Sequence, residues 1–169
     1  MKLVLSKYIL FWIAVLWMAF GQAQDLTEIR TKYPLAVKNK AEAETLMNEL
    51  KSVSIDSDKV LLAYKASVMT LMAKFSKQKK EKKEFFKEGV SLMEAAVIAS
   101  PDNIEIRCLR LGVQENSPKF LGYHKNKEED KGFILNHYPE VSSKAVQIVI
   151  KDFVSQSKSF SEAEKLLFK

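Results

Sequence analysis

Residues 103–114 put apolar side chains on most sides of a helix. Ile104, Ile106, Cys108, Leu109, Leu111 and Val113 leave a single stripe uncovered, so a helix here has to be central and buried against several neighbours. The uncovered stripe is Asn103, Arg107, Arg110 and Gln114. Their spacings of four, three and four residues align them on one face. Only three of the 27 basic residues are arginines, and two of those three stand here, one turn apart. Lysine serves wherever solubility alone is needed. Two arginines in the most buried helix therefore point to a need for the planar, five-donor guanidinium. Gly112, Gly122, Gly132 and Pro118 fall in the same stretch, 103–133, which is where rare residue types cluster.

The N-terminus carries an export signature. Lys2 and Lys7 form a positive segment, residues 9–20 are an unbroken apolar run, and Gly21 and Ala23 supply small side chains before a cut ahead of Gln24. Twelve helical residues rise about 18 Å, short of a hydrocarbon core of about 30 Å. An uncleaved anchor, helped by Tyr8, Trp12 and Trp17, is the competing reading. The small-residue cut site favours cleavage, which gives a signal peptide over 1–23 and one domain over 24–169, secreted or periplasmic. The membrane is then met only through the signal segment before it is cut. A bacterial lipid anchor would require a cysteine at the cut, and the single cysteine is Cys108. On the apolar side of its helix, that thiol reads as buried and inert.

Few glycines and prolines, with abundant Lys, Glu, Leu, Ala and Met, predict an all-α fold. About six helices stacked as antiparallel hairpins are expected. Asp25 with Glu28 reads as a capping box for a short helix on Leu26, Ile29 and Tyr33, with a kink or restart at Pro34. A helix over 34–51 follows, on Val37, Ala41, Leu46, Met47 and Leu50. Asp56 or Ser57 is the expected cap of the next, whose stripe runs from Val60 to Phe75. Its methionines read as core filler. Residues 77–84, KQKKEKKE, read as a solvated helix start or exposed turn; docking to an acidic partner or lipid headgroups is the competing reading. Phe85, Phe86, Val90, Met93, Ala96 and Val97 then mark a helix stopped at Ser100-Pro101. Asp102 or Asn103 caps the central helix. After Pro118, residues 119–125 are expected to turn tightly, with Gly122 at positive φ and Phe120, Leu121 and Tyr123 returning to the core. Asn126 with Glu129 reads as a capping box for a helix that Pro139 breaks. Val141, Ala145, Ile148, Val149 and Phe153 mark another, and Ser161 with Glu164 caps a last short one.

The second hairpin resembles a tetratricopeptide unit. Counting back from Pro101, Ala96 falls on that motif's small residue, Met93 on its large one and Gly89 on its helix-contact position. The first helix lacks the Trp-Leu-Gly-Tyr series and the turn carries a lysine-rich insertion. The resemblance covers one repeat and implies helix-hairpin stacking. Separately, Arg110-Leu111, Gln114-Glu115-Asn116, Pro118, Phe120 to Tyr123 and Glu128 to Lys131 form a pattern similar to that of small uncharacterised exported proteins of Gram-negative bacteria. This second resemblance spans roughly residues 40 to 157. It implies a helical fold and an exported location, and no activity.

Several function classes lose support. Removing Lys2 and Lys7 lowers the formal charge from +6 to +4, and the lysines are scattered with no arginine–aromatic stripe, so nucleic-acid binding is not expected. No nucleophile elbow, phosphate loop, zinc motif or calcium loop is present. Carboxylates are plentiful, and none is read as set in an apolar context that would tune it as an acid or base. His124 and His137 read as surface residues, so no metal and no cofactor is expected. The candidate binding residues are Arg107, Arg110, Gln114, Glu115, Asn116, Tyr123, Glu128 and Asp130. Two readings compete for them. Arg107 and Arg110 either stitch the central helix to Glu128-Glu129-Asp130 or to carbonyls near Pro118, or they line an open cleft that takes a carboxylate or phosphate. The first suits a non-enzymatic interaction or scaffold module with an unknown protein partner in the envelope. The second suits a small-ligand binder or hydrolase using Arg107, Arg110, Gln114, Tyr123 and Glu128.

Overall fold

A computed structural model describes residues 25–169; the expected signal segment and its cut site lie outside the described residues. Eight α-helices follow, joined by short connections and single 3-10 turns: α1 Leu26–Lys38, α2 Lys40–Glu49, α3 Lys59–Phe75, α4 Lys79–Ala99, α5 Ile104–Asn116, α6 Lys127–His137, α7 Lys144–Gln156 and α8 Glu162–Lys165. The fold is all-α. Side-chain caps set most of the helix starts. Asp25, Asn39, Asp58, Asn103 and Ser143 each accept a backbone N–H of the first turn that no helical carbonyl can reach. Ser161 and Glu164 complete a reciprocal capping box on α8.

Consecutive helices pair as antiparallel hairpins, α1 with α2, α3 with α4 and α5 with α6. The odd-numbered helices also pack side by side: α1 on α3, α3 on α5, α5 on α7. The tightest joint is α3 with α4. A Cβ placed on Gly89 would stand 2.8 Å from the Ala66 carbonyl oxygen, so only glycine permits this approach.

Helix α5 separates two apolar cores and belongs to both. Ile106, Leu109 and Val113 face the core built from α1 to α4, with Leu46, Leu62, Tyr64 and Met93. Cys108 and Leu111 face a second core with Ile134, Ile150, Val154, Phe160 and Phe168. The polar stripe of α5 turns to α6. The expected central helix is thus covered on all sides, and Glu105 to Leu111 are all buried.

Five local expectations are corrected. Helix α1 runs through Pro34 without a restart and ends at Asn39, which closes α1 and caps α2. Losing one backbone bond at the proline is outweighed because Ile29 and Ala36, before and after it, are buried in the same core, and Tyr33 packs edge-on to Tyr64 at 5.3 Å. The cap of α3 is Asp58, since the Ser57 hydroxyl is already taken by the Ser54 N–H. Phe120 and Leu121 do not return to the core; they are 86% and 41% exposed, and Tyr123 alone inserts. Gly122 does adopt φ +70°. Asn126 makes no side-chain cap on α6, because its amide donates to the Glu129 carboxylate instead. Finally, Ile148 is 60% exposed, the buried face of α7 being Ile150 and Val154.

Candidate functional site

Asp130 lies in the first turn of α6, is fully buried and takes four hydrogen bonds. Arg107 Nη1 donates to Oδ1 at 3.0 Å and Arg110 Nη2 to the same oxygen at 2.5 Å. Arg110 Nε and Gln114 Nε2 donate to Oδ2 at 2.8 and 2.7 Å. Four donors match the four lone-pair directions of one carboxylate. The donors are three of the four residues of the expected stripe of α5, brought to one atom group by the helical spacing, while Asn103 caps the helix.

A second ring of partners closes the cluster. Glu129 Oε1 accepts from Arg107 at 2.6 Å and from Arg110 at 3.2 Å, and Arg110 Nη1 also reaches Glu94 of α4 at 3.2 Å. Arg107 Nε donates to the Pro101 carbonyl at 2.9 Å, and its guanidinium lies 5.1 Å from the Phe133 ring centre. The Asn126 N–H donates to Gln114 Oε1, and the Tyr123 hydroxyl to Glu94. Arg110 is 3% exposed and Gln114 2%. Burial alone would lower the Arg110 pKa, but the Asp130 hydrogen bonds and the three surrounding carboxylates leave it raised. The Asn126 hydrogen bond, with those of the arginines, depresses Glu129 to about 2. Burial, then the bond to Glu94, raises Tyr123.

The other candidates do not join this cluster. The Glu115 carboxylate holds the Ser157 hydroxyl and the Ser159 N–H, tying α5 to the loop after α7. Asn116 donates to the Gly112 carbonyl within its own helix. Glu128 is exposed and points to neither arginine. His124 and His137 are exposed, and among the described residues no group of three His, Cys, Asp or Glu is arranged to hold a metal ion. Burial raises the Cys108 thiol well above its ordinary value.

A second buried carboxylate, which the sequence reading did not single out, lies at the start of α5. Glu105, between Ile104 and Ile106, is 2% exposed. Arg30 grips it bidentately, Nε to Oε1 at 2.8 Å and Nη2 to Oε2 at 2.6 Å, and the Tyr64 hydroxyl donates to Oε1 at 2.8 Å. All three arginines of the chain therefore serve buried carboxylates. A glutamate flanked by isoleucines, with one unassigned arginine elsewhere, was the signal that could have exposed this triad.

Elsewhere the odd helices α1, α3, α5 and α7, the first half of α4 and residues 117–123 enclose a groove of about 1620 Å³. Its lining is mainly apolar and includes Val37, Leu71, Phe86, Val90, Phe120 and Ile148. Of the candidate residues it takes in Glu115, Asn116 and Tyr123; Arg107, Arg110, Gln114, Glu128 and Asp130 stand outside it. No protein-family model, curated protein or solved structure matches this chain.

Proposed function

We propose that the protein is an exported, non-enzymatic interaction module, a tetratricopeptide-like stack that offers the groove between its odd-numbered helices to a protein partner in the envelope. The observation that carries this reading is the division of labour among polar groups. The arginines that a ligand-binding cleft would have used are consumed by Asp130, Glu129 and Glu94, while the groove is lined by apolar side chains, among them the exposed Phe120, Leu121 and Ile148. Side-by-side packing of alternate helices supports the repeat-like stacking. The apolar N-terminal run, preceded by Lys2 and Lys7 and followed by a small-residue cut site, supports export.

Affinity capture from an envelope fraction, with the tagged protein cross-linked before lysis, tests the interaction. A specific partner should be recovered; repeated capture of nothing beyond background would count against it. Mass spectrometry of the N-terminus of the exported chain should read Gln24 first, and an intact residue 1 would contradict cleavage.

A further inference from the structure

The groove's rim is basic. Lys38, Lys79, Lys82, Lys83 and Lys87 all line it, and among the described residues none of the five has an ion-pair partner. Among the described residues, the only carboxylates in its lining are Glu115, engaged by Ser157 and Ser159, and Asp152. Four of these lysines lie on the first half of α4, three of them inside the charged run 77–84 and Lys87 just after it. Phe86 and Val90 of the same helix also line the groove, as do Phe120 and Ile148, which are 86% and 60% exposed. An apolar floor under a lysine rim specifies a partner with an apolar stripe flanked by carboxylates.

Three features narrow the occupant. A volume of about 1620 Å³ exceeds the roughly 300–1,000 Å³ of a small-molecule pocket, so the groove suits a length of polypeptide. Its walls are helices whose backbone groups are already paired, and its floor offers few polar atoms. An extended strand would bury unpaired N–H and C=O groups there, whereas a helix satisfies its own. The apolar residues come from several helices around one groove, a shape that fits a cylindrical body better than a flat lipid surface. Deepening the interaction-module reading, on which it rests, we infer that this groove receives an acidic amphipathic helix of the partner, its apolar face on Phe86, Phe120 and Ile148 and its carboxylates on the α4 lysines.

The probe is a labelled synthetic helix of about four turns, with leucine at i, i+3, i+4 and i+7 and glutamate on both flanks. Fluorescence anisotropy with the whole protein should show saturable binding that weakens as salt rises. Lys82→Glu/Lys83→Glu/Lys87→Glu should weaken it about tenfold or more, and Ile148→Asp likewise, all four positions being exposed enough to leave folding intact. The counterpart peptide with lysine on its flanks should not bind. Absence of binding by the glutamate peptide, equal binding of both peptides, or indifference to both variants overturns the inference. So does sedimentation with phosphatidylglycerol vesicles if the glutamate peptide fails. A partner captured from the envelope whose cross-links fall outside the groove would leave the interaction module standing and remove only this inference.

Discussion

Asp130 and Arg110, twenty residues apart in sequence, meet as two parallel forks: Nε on Oδ2 at 2.8 Å and Nη2 on Oδ1 at 2.5 Å, with Asp130 fully buried and Arg110 nearly so. Such a pair is bound to the fold by what its loss exposes rather than by its net worth. Two charges removed from water recover most of what desolvation costs, and either one alone is stranded.

Removing the carboxylate is therefore the severe change. Asp130→Ala should lower the unfolding free energy by about 3–5 kcal/mol in urea titration, because two guanidinium groups lose their shared acceptor inside the protein. Glu128→Ala, two residues away and exposed, should stay within about 0.5 kcal/mol of the parent.

The Glu105 triad predicts a smaller loss. Tyr64→Phe removes one hydrogen bond to a buried carboxylate that keeps its Arg30 fork, so about 1.5–3 kcal/mol is expected by the same titration. A parent-like midpoint would mean that the hydroxyl contributes nothing to holding α5 against α3.

Two glycine-to-alanine changes should move stability in opposite directions. Gly89→Ala drives a methyl to 2.8 Å from the Ala66 oxygen and should cost about 1–3 kcal/mol as α3 and α4 separate. Gly132→Ala meets nothing within 4 Å inside α6 and should stabilise by about 0.5–1 kcal/mol through helix propensity. Paired thermal melts check both.

Acid should loosen the arginine cluster in a defined window. Glu129 is depressed from 4.5 to about 2, so its stabilising contribution is complete above about pH 4.5 and is lost as pH falls toward 2. Lys131 and Ser161 hold Glu164 down to about 2 as well, joining α6 to α8 in the same window. Urea midpoints measured from pH 7 to pH 2 should fall below about 4.5, and Glu129→Gln should flatten part of that fall.

What could be read beforehand follows the reach of local rules. Helical spacing made α5 central and put Arg107, Arg110 and Gln114 on one face, since both depend on periodicity alone. That Asp130, and not Glu128, receives them depends on the rotation of α6 about its own axis, to which a run of three acids gives no clue. Pro34 and Ile148 misled because tertiary burial on both sides overrode a local break in one case, and a shift of helix phase overrode a hydrophobic residue in the other. Glu94 and Glu105 went unseen as partners because their arginines lie 16 and 75 residues away. The groove belongs to five helices together, so no single stretch of sequence displays it.

Guanidinium geometry holds the Asp130 cluster together, and Arg110→Lys tests this most directly. Lysine keeps the charge but offers no planar fork to Asp130. Thermal unfolding of Arg110→Lys beside Lys127→Ala should show the first melting clearly lower, at roughly 2–4 °C for each kcal/mol lost, and the second unchanged. Equal melting temperatures for the two variants would contradict the claim that arginine, and not positive charge alone, holds the centre of this fold.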